Sequence, residues 1–147
     1  MARAIFRLAK AMEVKTLVDA GPLIGWFNAT DQWHAWSVGA LRRRRGVFHT
    51  TEIILGEVAY HLGGNTAMVQ ALLTLVREGA IILHPIWPEQ LLRTQELMAK
   101  YERMDAADAS LVVLSELYPA ARLVTVDVRD FRIYRRFTSE PLPLVMP

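Results

Sequence analysis

A chain of 147 residues, 52% of them hydrophobic, has the length and apolar content of a single domain over 1–147 with one sizeable core. Its 17 Lys and Arg against 15 Asp and Glu leave a formal net charge of +2, mildly basic and too little by itself to argue for a nucleic-acid partner. The absence of cysteine excludes disulfides, thiolate catalysis and cysteine-held zinc or iron–sulfur centres, and points to the reducing cytoplasm.

Arginine carries nearly all the positive charge, since lysine occurs only at Lys10, Lys15 and Lys100, and the planar guanidinium suits phosphate. No apolar run approaches the roughly 18 residues that span a bilayer, so no membrane association is expected. Residues 1–12 read as a short basic extension, in which Arg3, Arg7 and Lys10 interrupt any signal-peptide core.

The run Val14-Lys15-Thr16-Leu17-Val18 reads as a buried strand ending at Asp19, followed by a helix through Phe27 with Pro22 at its first position. That sets Asp19 at the carboxyl end of a strand, where open α/β sheets place their ligands; an ordinary turn aspartate fits the position equally well. Residues 31–41 have helical spacing and are closed by Arg42-Arg43-Arg44-Arg45, four cations that complement the helix dipole and stay solvated. Val47-Phe48-His49 is a second strand, and Thr50 and Thr51 cap a helix over 52–62. Glu52 falls in its first turn, where an acid needs no functional explanation. Glu57 sits in mid-helix among Ile54, Leu55, Val58 and Leu62, where an acid needs a partner such as an arginine or a metal.

Helices over 66–78 and 89–103 flank a third strand, 80–84, and are expected to pack as a hairpin over the sheet or to form a partner surface. A helix over 105–118 opens on Asp105 and Asp108, three residues apart on one face and each raising the cost of ionising the other. A capping box accounts for both, with Asp105 as cap and Asp108 reaching back to the free amide. Residues 123–126 form a fourth strand ending at Asp127, with Asp130 three residues on; 131–137 predicts a short basic helix, and 141–145 an edge strand. Strands alternating with helices predict a three-layer α/β/α domain on a mainly parallel sheet.

If the strands that end at Asp19 and Asp127 are neighbours, four or five carboxylates converge on one cleft. Such a cluster repels itself unless cations fill it, and all-oxygen ligands select hard ions such as Mg²⁺ or Mn²⁺. The chemistry suggested is metal-assisted phosphodiester hydrolysis.

From Val14 to Val145 the sequence resembles the PIN-domain ribonucleases, especially the VapC-type toxins of type II toxin–antitoxin pairs. The resemblance rests on Leu17-Val18-Asp19-Ala20-Gly21-Pro22-Leu23-Ile24, Thr50-Thr51-Glu52-Ile53-Ile54-Leu55-Gly56-Glu57-Val58, Asp105-Ala106-Ala107-Asp108-Ala109-Ser110-Leu111 and Thr125-Val126-Asp127-Val128-Arg129-Asp130-Phe131. It implies a PIN-like fold and an endoribonuclease that cuts unpaired regions of structured RNA with Mg²⁺ or Mn²⁺, leaving a 5′-phosphate and a 3′-hydroxyl. Carried onto this sequence, it makes Asp19, Glu57, Asp108 and Asp127 catalytic. Asp19, Asp108 and Asp127 become metal ligands, with Asp105 and Asp130 as outer companions. It also implies a homodimer and an antitoxin that obstructs the site. Ala20 stands where many members carry Ser or Thr, so one hydroxyl that orients a carboxylate or water is missing, and the extension before Met12 is atypical. The alternatives are a non-catalytic PIN module that binds RNA or protein, and a housekeeping PIN nuclease. A haloacid-dehalogenase-like phosphatase needs a second Asp where Gly21 stands, and it and a receiver domain both need a lysine at a later strand end.

Overall fold

The structure is a computed structural model that describes residues 13–147; the extension expected over 1–12 lies outside the described residues. Five strands form one all-parallel sheet: β1 (Thr16–Val18), β2 (Phe48–Thr51), β3 (Ile81–His84), β4 (Arg122–Val124) and β5 (Leu144–Val145). Among the described residues seven helices cover it, completing the three-layer α/β/α architecture: α1 (Ala20–Phe27), α2 (His34–Arg42), α3 (Glu52–His61), α4 (Thr66–Arg77), α5 (Leu91–Lys100), α6 (Ala106–Leu117) and α7 (Val128–Phe131).

The strand order is β3-β2-β1-β4-β5, so the chain winds outward from β1 to β3 and then returns to the other side of β1. The reversal falls between β1 and β4, which pair in register with Val18 opposite Val124. At such a switch point the connections leave neighbouring strands in opposite directions and open a crevice beyond their carboxyl ends. Strands this short and buried on both faces read as continuous apolar runs, which is why Leu17, Val18, Leu123 and Val124 are all fully buried.

The core is built on α6, in which every residue from Ala109 to Ser115 is buried. Burial on all sides is what a helix wedged between sheet and helices requires. It packs on β2, α3 and α5. The pairing of α5 with α6 replaces the expected hairpin between α4 and α5: α4 packs on β3 instead. Pro119 ends α6, as its missing N–H and its clash with the preceding turn demand.

Among the boundaries that differ from the sequence reading, two lie beside the crevice. β4 stops at Val124: the Thr125 N–H still donates to the Val145 carbonyl, but its hydroxyl turns to Asp19 and the chain leaves the ladder after it. The predicted basic helix over 131–137 does not form: α7 spans only Val128–Phe131, and Arg135 curls its guanidinium onto the carbonyls of Arg132, Ile133 and Tyr134. Arg136 is buried, donating to the carbonyls of Ser115 and Pro119 and pairing with Glu140.

Candidate active site

Asp19 follows β1 directly and is the N-cap of α1, its Oδ1 accepting from the Ala20 amide at 2.7 Å. The helix therefore starts earlier than predicted, with Pro22 third in it; a missing N–H is harmless anywhere in a first turn whose donors have no intrahelical partner. Across the switch point the Thr125 hydroxyl donates to Asp19 Oδ2 at 2.7 Å and accepts from the Asp127 amide at 3.0 Å. One side chain thus fixes both a carboxylate on the β1 side and the backbone of a second acid on the β4 side. Gly21 makes the approach possible, since a Cβ there would collide with the Val126 side chain.

Asp105 caps α6, its Oδ1 accepting from the Asp108 amide at 2.8 Å. Only this half of the expected capping box forms, because the Asp108 carboxylate turns away to accept from the Tyr134 hydroxyl at 2.7 Å. Asp127 caps α7 through the Asp130 amide at 3.0 Å. One oxygen each from Asp108, Asp127 and Asp130 lie within 4.8 Å of one another. Asp130 is also ion-paired with Arg103 at 3.0 Å, which offsets its charge. Asp19 stands beside this triad. Glu57 is half-buried on α3, whereas Glu52, a turn and a half earlier, is exposed, and so is Asp105.

The electrostatics tie the acids together. Burial pushes the Asp19 carboxyl up to about 6 against the pull of its bonds to Thr125 and Ala20, and the charges of Glu57 and Asp127 add to the rise. Asp108 is raised to about 7, first by burial and then by Asp105, Asp19 and Asp127, with the Tyr134 hydroxyl working the other way. Glu57 is raised by burial and by Asp105. Carboxyls that hold their protons this tightly are short of positive charge. The donor set is all oxygen, open on one side and lacking any nitrogen or sulfur ligand, which fits Mg²⁺ or Mn²⁺ and disfavours zinc.

Thr125, Tyr134 and Arg103 were not singled out as site residues from sequence. Thr125 had a signal, a hydroxyl two residues before a candidate acid. Tyr134 had none, lying in a segment dominated by arginine. Two further hydroxyls brace α3 against α6: Thr51 accepts from the Ile54 amide and bonds Ser110, which donates to the Ala107 carbonyl. Three of the four histidines do structural work elsewhere: His34 bonds the Gly25 carbonyl, and His49 meets His84 at 2.8 Å, where burial lowers the pKa of both.

The fold is similar to the crystal structure of VapC20 from Mycobacterium tuberculosis, a toxin that cleaves the sarcin–ricin loop, with a TM-score of 0.68 over 74% of this chain and 87% of that one. Identity is 15%, so the likeness is one of fold. No curated protein matches the sequence. The PIN domain model matches residues 16–136, from β1 to beyond Tyr134 and across every acid of the candidate site, and the chain belongs to the PIN domain family.

Proposed function

We propose that the chain is a single PIN domain acting as a metal-dependent endoribonuclease, the toxin of a toxin–antitoxin pair. The observation that carries this reading is the convergence of Asp108, Asp127 and Asp130 at the switch point, with Asp19 beside them. Asp19, Asp108 and Asp127 would hold Mg²⁺ or Mn²⁺, with Asp105 and Asp130 outside them. When bound, the ion supplies Lewis-acid polarisation of the phosphate and a water of lowered pKa.

The chain's own residues supply placement. Thr125 locks the Asp19 rotamer, and Tyr134 locks Asp108, so the carboxylates meet an ion without reorganising. Glu57, made a stronger base by burial and by Asp105, is suited to accept the proton of the attacking water. Arg129 and Arg132 are exposed beside Asp127 and Asp130, and are placed to meet the RNA backbone.

Other features support the partners of a toxin. An apolar hollow lined by Leu23, Trp26, Leu41, Phe48, Leu75 and Ile81 suits an apolar segment of an antitoxin. Among the described residues no helix is long and apolar enough to cross a membrane; the proposed nuclease acts in the cytoplasm. A homodimer completes the proposal. Purified protein is expected to cleave single-stranded RNA with Mg²⁺ or Mn²⁺ and to stop in EDTA. Glu57→Gln should lower the rate by at least about 100-fold, as loss of an acid–base group does, while Glu52→Gln leaves it nearly unchanged. Equal losses from both would assign the wrong glutamate, and full cleavage in EDTA would overturn the metal.

A further inference from the structure

The Glu57 side of α3 carries a second feature that neither core nor carboxylate cluster uses. Residues three and four apart share a helix face, so Tyr60 and His61 lie one turn beyond Glu57. His61 is near enough to pull the Glu57 carboxyl's pKa downward. Tyr60 is 82% exposed, the most exposed large hydrophobic side chain among the described residues. Ile54, Val58 and Leu62 anchor α3 in the core, on the side of the helix opposite Tyr60. The Tyr60 ring stands edge-on to His61, with centroids 5.6 Å apart and planes at 78°. Its hydroxyl has no hydrogen-bond partner among the described residues.

A large ring left in water forfeits the benefit of burial, so fold stability gives no reason for it. Nucleobases do, because every base has a π-face and stacks on an aromatic side chain without regard to sequence.

We propose that Tyr60, steadied by His61, is a stacking platform for an unpaired nucleobase next to the scissile phosphate. The inference rests on the endoribonuclease reading above and deepens it by naming a contact: Tyr60 selects for an unstacked base beside the cut more than for its identity.

The test uses the full chain with Mn²⁺. A single-stranded RNA pool of random sequence locates a cut, and a defined RNA containing it is then remade with an abasic ribose at each position flanking that cut. With wild-type protein, one abasic position should lower kcat/KM by roughly 5- to 100-fold, the range expected for one stacked base. Tyr60→Ala should show the same loss on intact RNA, chiefly in KM, and become insensitive to the abasic replacement there. Tyr60→Phe should restore most of the loss, and Mn²⁺ affinity should be the same in all three proteins. Tyr60→Ala cleaving intact RNA like wild type, or staying equally sensitive to the abasic position, overturns the platform alone. Absence of any Mn²⁺-dependent cleavage by wild type overturns the endoribonuclease reading and the platform with it.

Discussion

The hydroxyl of Thr125 bonds Asp19 and the Asp127 amide at once, so its loss reaches both sides of the crevice. Thr125→Val keeps the shape and removes the hydroxyl. It leaves a buried carboxylate oxygen unsatisfied, and Mn²⁺ affinity is expected to fall about 10- to 100-fold, as outer-shell losses do, which calorimetric titration would check. An unchanged affinity would mean that Asp19 needs no such support. At this scale sequence was informative about the acids and silent about what orients them. Asp19, Glu57, Asp108 and Asp127 stand out because an acid beside apolar residues needs an explanation. Thr125 and Tyr134 contact their carboxylates from 106 and 26 residues away, and no local pattern encodes such contacts. Asp108 was ambiguous in sequence because a capping acid and a ligand occupy the same position, and in the structure its side chain turns from the cap to the Tyr134 hydroxyl.

Between elements, the close approach of α1 to the segment after β4 depends on Gly21, where any Cβ meets Val126. Gly21→Ala should cost about 1–3 kcal/mol, as overpacking does, and should displace Asp19 from Asp127. Chemical denaturation together with Mn²⁺ titration would show both effects, and a variant as stable as wild type would contradict the contact. The helices with strong caps were legible: Thr51 and Asp105 cap α3 and α6 close to where their sequences place them. The failures came where side chains compete with the ladder or the helix. Thr125 ends β4 two residues before its β-branched run does, and three carbonyl bonds from Arg135 dissolve a helix that its composition suggested. The partner of α5 could not be read from periodicity, which shows that a helix has an apolar face but not what covers it.

For the whole molecule, alternating strands and helices indicated a parallel α/β/α fold, whereas the order β3-β2-β1-β4-β5 is long-range information that placed the crevice between β1 and β4. That placement puts stability and function in opposition. Folding raises Asp19 from 3.8 to about 6 and Asp108 from 3.8 to about 7. Between those values the folded state holds protons that the unfolded chain has released, so stability falls as pH rises through the window. His49, lowered from 6.5 to about 4, acts in the other sense, because the unfolded chain binds the extra proton and stability is lost as pH falls toward 4. Thermal melting without divalent ions should therefore show Asp108→Asn gaining on wild type as pH rises from about 5 to 7.5, with Mg²⁺ closing the gap. A pH-independent difference would show that Asp108 is not raised in the folded state.

The central claim, that these carboxylates serve an ion and a phosphodiester rather than the fold, is tested most directly by one paired measurement on wild type and Asp108→Asn. Each is assayed for Mn²⁺-dependent cleavage of single-stranded RNA, and each is melted without metal at neutral pH. The account predicts cleavage reduced at least about 100-fold, as loss of a preorganised electrostatic group is, together with a melting temperature equal to or above that of wild type. A variant that cleaves like wild type, or one that loses cleavage only because it melts well below wild type, would contradict it.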